Sequence, residues 1–591
     1  MRTIQLFIAQ FNMNNKKSGR DVMFWAEELG AIPKEQAGSR KNHRSVLSAL
    51  NKVLTMDLLR LRRQAGALCS NDAKSCYDQI VHWIAALCMR RLGLQKEPTF
   101  EMFKTIQLAW HYIATAYGES KRRYGGTRWL PLQGVGQGNG AGPMIWAVIS
   151  AVLIAIMKRH GHGISILTPL MMMALYVVCF AFVDDTDVVH GGKNTKSTGE
   201  EVLHEMQEVV DRWEGSVRAT GGALVPSKSY WYLIDFVWQK GAWKYRSKKV
   251  MPGEITIQGV NGLQVTLKQL EPLEAQETLG VYIAMDGNWR EEIKALLEKT
   301  STFADQMRVG FIKPNNAWYA FNTTIMKTLE YPMEATCIDK NGWDKIMKPM
   351  VGVVLQRSRI AKNLPRDVFY SSYQFQGLSV MHPWYRQQIV HLITLCKETF
   401  NGTPTGELLQ ANAEQLRLKI GLPGLFTDAP MTQVAPYLTK CWMKDLLLFL
   451  SEFKIQLGNP LPKLIPQRRG DQFLMELFLD QGYGGADLVT LNGCRQVLQA
   501  TTLADIVSTN GASIMRWAWT GKPGLRRLHK NGWPRQPKIN KDGWILWQQA
   551  LLHLLRTARS LKLAHPLGEW LCPPPPTWRW FYSHSESRVY L

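Results

Sequence analysis

Tyr176-Val177-Val178-Cys179-Phe180-Ala181-Phe182-Val183-Asp184-Asp185-Thr186-Asp187-Val188-Val189-His190 is an apolar run interrupted by acids. Its first half is β-branched and aromatic, the composition of a strand buried on both faces, and Val188 to His190 resumes that character. A tight hairpin turn between the halves would present Asp184 and Asp185 at its tip. Unpaired carboxylates bordering so apolar a run are costly, and a cation would offset that cost. Asp-Asp is also common in plain surface turns, so the flanking sequence has to decide between the two readings.

Upstream, Ala141 to Met157 and Ile164 to Val183 form apolar stretches of 17 and 20 residues. Length alone admits a membrane span. Pro169, the strand-like residues from Tyr176 and the acids that end the second stretch instead predict a buried helix followed by a buried strand. No membrane partner is expected. Further out, Met23 to Leu29 and Ser45 to Arg63 have helical periodicity, the latter amphipathic and ending in Arg60, Arg62 and Arg63. Ala65 to Asn71 is a strand that stops at Asp72, and Tyr77 to Leu92 a helix closed by Gly93. Beyond the acids come a helix from Gly199 to Ala219, two or three strands, and a helical stripe from Trp289 to Met307. After about residue 400 the strands largely vanish; helices at Met443 to Phe453 and Trp544 to Leu555 are separated by Gly- and Pro-rich joints.

The chain has 591 residues, too many for one ordinary core. Its 71 Lys and Arg against 48 Asp and Glu leave +23, spread along the chain, which favours a polyanionic partner. The nine cysteines, at 69, 76, 88, 179, 337, 396, 441, 494 and 572, show neither a C-x-x-C pair nor zinc spacing, and no cleavable leader is evident. An intracellular protein, nuclear or cytoplasmic, is the expectation. Lys121-Arg122-Arg123-Tyr124 with Arg128-Trp129, and Trp243-Lys244-Tyr245-Arg246, interleave phosphate-attracting cations with stacking surface.

Asp72-Ala73-Lys74-Ser75-Cys76-Tyr77-Asp78 has the form D-x-x-x-x-Y-D at a strand-to-helix switch. It resembles the first catalytic motif of reverse transcriptases. Gly134-Val135-Gly136-Gln137-Gly138-Asn139, followed by Pro143, resembles their second, and Phe182-Val183-Asp184-Asp185 their third. Gln36-Ala37-Gly38-Ser39-Arg40 is similar to the fingers segment before the first motif, Leu224 to Lys228 to the lysine motif after the third, and Leu279-Gly280-Val281 to the segment at the primer. The six lie in the right order between 36 and 281, and the likeness is nearest to non-long-terminal-repeat-like retroelement polymerases of unicellular eukaryotes.

The resemblance implies an α+β right-hand polymerase fold: fingers and a palm with an antiparallel sheet, then a helical thumb and a mostly α-helical C-terminal region. Its implied divisions are 1–64 partial fingers, 65–285 palm with fingers insertions, 286–400 thumb or connection, and 401–591 a basic helical region of unassigned role. The implied function is RNA-directed DNA polymerisation within a retrotransposon, with an RNA template, a DNA or RNA primer and dNTPs as partners. Two Mg²⁺ ions, or Mn²⁺ in their place, would be held by Asp72, Asp184 and Asp185, since carboxylates suit a hard cation. Tyr77 would exclude a 2′-hydroxyl, Gln137 and Gly138 would approach the incoming base pair, and Arg40, Arg2 and Lys228 would meet the triphosphate. Gly280, Lys121, Arg122 and Arg123 would contact primer and template. Asp78 and Asp187 read as helix-start and turn acids. The chain opens as if in mid-fingers and carries no recognisable endonuclease or ribonuclease H constellation after 400, which is the pattern of a truncated or incomplete reading frame. The alternative function is a non-catalytic nucleic-acid-binding remnant.

Overall fold

The computed structural model describes residues 5–73, 76–259, 262–424, 430–457, 464–522, 532–557, 559–571, 581–583 and 588–590. Arg2 lies outside them. The fold is mixed α/β, and the chain divides into two compact units, 1–167 with 173–237 and 244–412, and 168–172 with 238–243 and 413–591.

At the centre of the first unit is a five-stranded sheet, ordered Lys268–Leu270, Tyr230–Ile234, Gly66–Asn71, Asp185–Gly191, Cys179–Phe182. All pairings are antiparallel except that of the outermost Lys268–Leu270 strand, which runs parallel to Tyr230–Ile234. The alternation of side chains along a strand decides which residues face which layer. Ala67, Cys69, Val188, Trp231 and Leu233 join one cluster with the helices His82–Arg91, Gly142–Arg159 and Gly199–Ala219. The last of these begins with a reciprocal capping box between Thr198 and Glu201, which satisfies two backbone donors of its first turn.

Gly142–Arg159 is long and apolar enough to cross a membrane by length and composition, and 67% of that window is buried inside the protein. It is a core helix, lying in the cluster just described. The following apolar stretch forms three short strands, Ile164–Leu167, Ala174–Val177 and Cys179–Phe182, where the sequence predicts one.

Two further expectations are corrected. The Ser45–Arg62 helix is not amphipathic in its burial: Lys52, Asp57, Arg60 and Arg62 are as buried as its leucines. The charges are tolerated because Lys52 is paired with Asp187 and Asp57 with Arg60, the Arg60 guanidinium also donates to the Asp286 carbonyl, and Arg62 donates to Gln64 Oε1 and the Leu167 carbonyl. Gly66 sits against Leu59 of this helix, where a Cβ would come within 2.6 Å of the Leu59 side chain. The helix expected over 77–92 is split into Cys76–Gln79 and His82–Arg91. Backbone groups at the break are diverted to distant partners: Val81 N–H donates to the Thr220 carbonyl, and Ile80 carbonyl accepts from Gly134 N–H.

Within 286–412 the helices Arg290–Val309 and Lys340–Arg357 pack together. The second unit is largely helical, with Trp442–Glu452, Leu474–Asp480, Gly485–Leu498 and Lys541–Leu552. Fully buried Arg495 ties it together, donating to the carbonyls of Leu418, Lys419 and Ala500 and to Asn492 Oδ1 while its guanidinium lies over Trp533.

Candidate active site

The strand register brings the candidate acids to one end of the sheet. Asn71 pairs with Thr186 and Phe182 with Asp185, so the chain leaving Asn71 carries Asp72 to the position beside Asp185. Val183 and Asp184 form the two-residue turn between the strands. Val183 has φ +59°, the left-handed region that a β-branched side chain strongly disfavours. Strain of that kind costs about 1–3 kcal/mol and persists only where the surroundings enforce it.

A cleft of about 240 Å³ opens here, with Asp72, Asp185, Asp187, Lys228, Glu277 and Leu279 on its walls. Residues 224–229 are docked alongside 72–73 by backbone bonds: Val225 N–H donates to the Asp72 carbonyl, and Ala73 bridges Leu224. Lys228 therefore reaches the cleft, its Nζ 3.1 Å from Asp72 Oδ2. Asp184 is half-buried at the turn and is not part of the cleft wall. The Leu279-Gly280 turn, both residues at positive φ, joins the hairpin strands Ala275–Thr278 and Val281–Ala284 at the cleft edge. Tyr331 fixes it by donating its hydroxyl to the Leu279 carbonyl at 2.5 Å.

Asp187 is a mid-strand residue and not a turn acid. Its Oδ2 accepts from Lys52 Nζ at 2.7 Å, and Lys52 also donates to Thr278 Oγ1 at 2.9 Å. Burial draws the Lys52 ammonium down, but the charge of Asp187 and the Tyr230 oxygen outweigh it, and the net shift is upward. Tyr230, on the cleft wall, is pushed up chiefly by burial. The sequence reading missed this pair, since nothing local connects residues 52 and 187.

The other candidates lie outside the cleft wall. Tyr77 packs its ring against Gly142, where a Cβ would be 3.3 Å from Tyr77 Cε1, and against the core of the sheet. Gln137 and Gly138 belong to a glycine loop held by the N-terminal segment: Gln5 N–H donates to the Gln137 carbonyl, and Asn12 Nδ2 to the Gly138 carbonyl. Gly134, Gly136 and Gly138 are all at positive φ, which is why the loop needs glycine. Arg40 is engaged within the protein, both sides of its guanidinium on Glu27 at 2.5 Å and Nη1 on the carbonyls of Pro33 and Gln36. That engagement departs from the expected grip on a triphosphate. Lys121, Arg122 and Arg123 are exposed in a loop between short strands, with Arg123 4.5 Å over the Trp110 ring.

The donor chemistry of the cleft suits a hard divalent cation, because its acids offer carboxylate oxygens. Among the described residues, however, no three His, Cys, Asp or Glu side chains lie close enough together to hold one ion.

No protein-family model and no curated protein matches the chain. Among solved structures it is similar to telomerase from Candida albicans in complex with a TWJ fragment of telomeric RNA, with TM-score 0.32 and 11% identity over 68% of this chain and 54% of that one. The corresponding Candida tropicalis complex gives 0.29 and 10%, over 67% and 56%, and apo telomerase from the same organism 0.28 and 10%, over 68% and 60%. This chain thus spans little more than half the length of these telomerases.

Proposed function

We propose that the chain is an RNA-directed DNA polymerase of a retroelement, extending a primer 3′-hydroxyl with deoxynucleotides. The observation that carries the reading is the convergence of Asp72, Asp185 and Lys228, far apart in sequence, on one cleft at the end of an antiparallel sheet. The choice of template rests on the ordered resemblance of the six motifs to reverse transcriptases. Mg²⁺ or Mn²⁺, bound as a pair by Asp72, Asp184 and Asp185, would supply activation of the attacking oxygen and neutralisation of the departing pyrophosphate. Asp72 and Asp185 offer their carboxylates from strand ends on the walls of one cleft. Lys228 pairs with Asp72 and is poised to offset charge on pyrophosphate or give it a proton. The basic loop at Lys121 to Arg123 would attract the sugar-phosphate backbone.

Primer extension on poly(rA) and poly(dA) templates with deoxy- and ribonucleotides tests the reading. Extension with dNTPs on RNA, abolished by Asp184→Asn, supports it; extension with rNTPs only, or none, ends it. A second reading, a nucleic-acid-binding remnant without turnover, is favoured by the lack of a three-carboxylate group among the described residues. It predicts salt-sensitive RNA binding with no extension in either metal.

A further inference from the structure

The strained residue Val183 is gripped from outside its own hairpin. Its N–H donates to Gln36 Oε1 at 3.3 Å, and its carbonyl accepts from the indole N–H of Trp146. Gln36 is itself fully buried and fixed, its Oε1 also accepting from Gly38 N–H at 2.9 Å and its Nε2 donating to Ser150 Oγ at 2.9 Å. Trp146 and Ser150 stand four residues apart on the Gly142–Arg159 helix and so share a face. The segment carrying Gln36 is laced to the strand before the turn: Ala37 N–H donates to the Ala181 carbonyl, and Ala181 N–H to that of Glu35. Gly38 presses on the turn so closely that a Cβ would stand 2.1 Å from Val183 N. Two side chains from separate elements thus satisfy both backbone polar groups of one residue, on the two peptides that flank its Cα, in a conformation that valine would otherwise leave.

We propose that Gln36 and Trp146 are positioning residues: by locking Val183 in the left-handed conformation they set the direction in which the chain enters Asp184, and hence the aim of that carboxylate. The proposal deepens the polymerase reading and rests on it for its kinetic consequence. The geometric consequence, a locked turn, is independent of turnover. Neither residue lines the cleft, and what they control is the entry into the acid pair.

The test compares the full-length chain with Gln36→Leu, Trp146→Phe and the double variant Gln36→Leu with Val183→Gly. Amide hydrogen exchange over the turn peptides is measured beside steady-state extension of a primed RNA. Both single variants are expected to exchange faster across 181–185 and to lose about ten- to a hundredfold in kcat, with KM for dNTP and primer-template Kd within about twofold, since misaiming by about an ångström is felt mainly in the chemical step. Glycine reaches the left-handed region without help, so the double variant is expected to recover most of kcat although its turn exchanges freely. A merely structural role would not be rescued in that way. Trp146→Phe removes the donor and leaves a smaller aromatic ring in the core, so it carries the test if Gln36→Leu does not fold. Unchanged turn exchange in Trp146→Phe, or a kcat loss that Val183→Gly fails to restore, overturns the proposal. If the unmodified chain extends no primer, the polymerase reading falls and the exchange comparison alone decides the clamp.

Discussion

Lys52 donates to Asp187 across 2.7 Å from a helix whose side chain at that position is 1% exposed, and Asp187 lines the cleft that Asp72 and Asp185 also border. A buried charge stripped of its partner is far more costly than a buried pair replaced whole. Lys52→Met should therefore lower unfolding free energy by about 3–5 kcal/mol, while Lys52→Met with Asp187→Leu should return most of it. Urea titrations of the three proteins measure this directly, and equal midpoints for the single and double variants would refute the pairing argument.

On the proposed function, Asp72→Asn and Asp184→Asn should each abolish primer extension and leave RNA affinity within about threefold, because they would remove the proposed cation ligands and not basic surface. Replacing Lys121, Arg122 and Arg123 by alanine should do the reverse. It should flatten the slope of log Kd against log salt by about 2–3 and leave kcat at saturating template nearly unchanged. Filter binding at several salt concentrations separates the two classes of variant, and an unaltered slope would remove the loop from the nucleic-acid path.

Tyr77→Val should raise ribonucleotide incorporation relative to deoxynucleotide, measured as the ratio of the two kcat/KM values on one primed template. The ring also packs on Gly142 and the core, so about 1–3 kcal/mol of stability should go with it. Loss of stability with an unchanged ratio would leave Tyr77 a packing residue.

Glu292 is buried, and burial pushes its carboxyl up to about 7 despite a hydrogen bond from Tyr282 N–H. Below the ordinary glutamate range it is neutral in both states and costs nothing. As pH rises towards 7 the unfolded chain ionises first, so the folded state loses about 3 kcal/mol across that window. Glu292→Gln should flatten stability between about pH 4.5 and pH 7, as measured by chemical denaturation at each pH; a parallel pair of curves would contradict the assignment.

Local signals made much of this fold legible. The helix expected from Gly199 to Ala219 has those bounds, and Gly66–Asn71 follows from a short apolar run that stops at an acid. The Tyr77 to Leu92 pattern misled because the break at Ile80 and Val81 is imposed by Gly134 and Thr220, which no window of that length contains. The meeting of Asp72 with Lys228 could be anticipated only from motif order, since 156 residues separate them. Gln36 is legible as the start of a motif but not as a buried clamp on the turn. A glutamine reads as surface, and its burial depends on Val183 and Ser150 being brought to it. Arg40 shows the opposite case: an arginine in a polar loop reads as available, and here Glu27 pairs with it.

The position of Gly66–Asn71 between two strands that come much later in the chain bears on how the protein is made. Its nearer partner in sequence begins 114 residues after Asn71, at Asp185, and the other follows at Tyr230. At ribosomal rates of about 5–20 residues per second, an apolar segment waits roughly 6–23 s for the first neighbour that can cover its backbone. Both of its edges are open to other chains during that interval. Slowing elongation between residues 72 and 185 should lengthen the vulnerable period and increase the chain's demand for chaperones, whereas rare codons placed after residue 234 should have little effect.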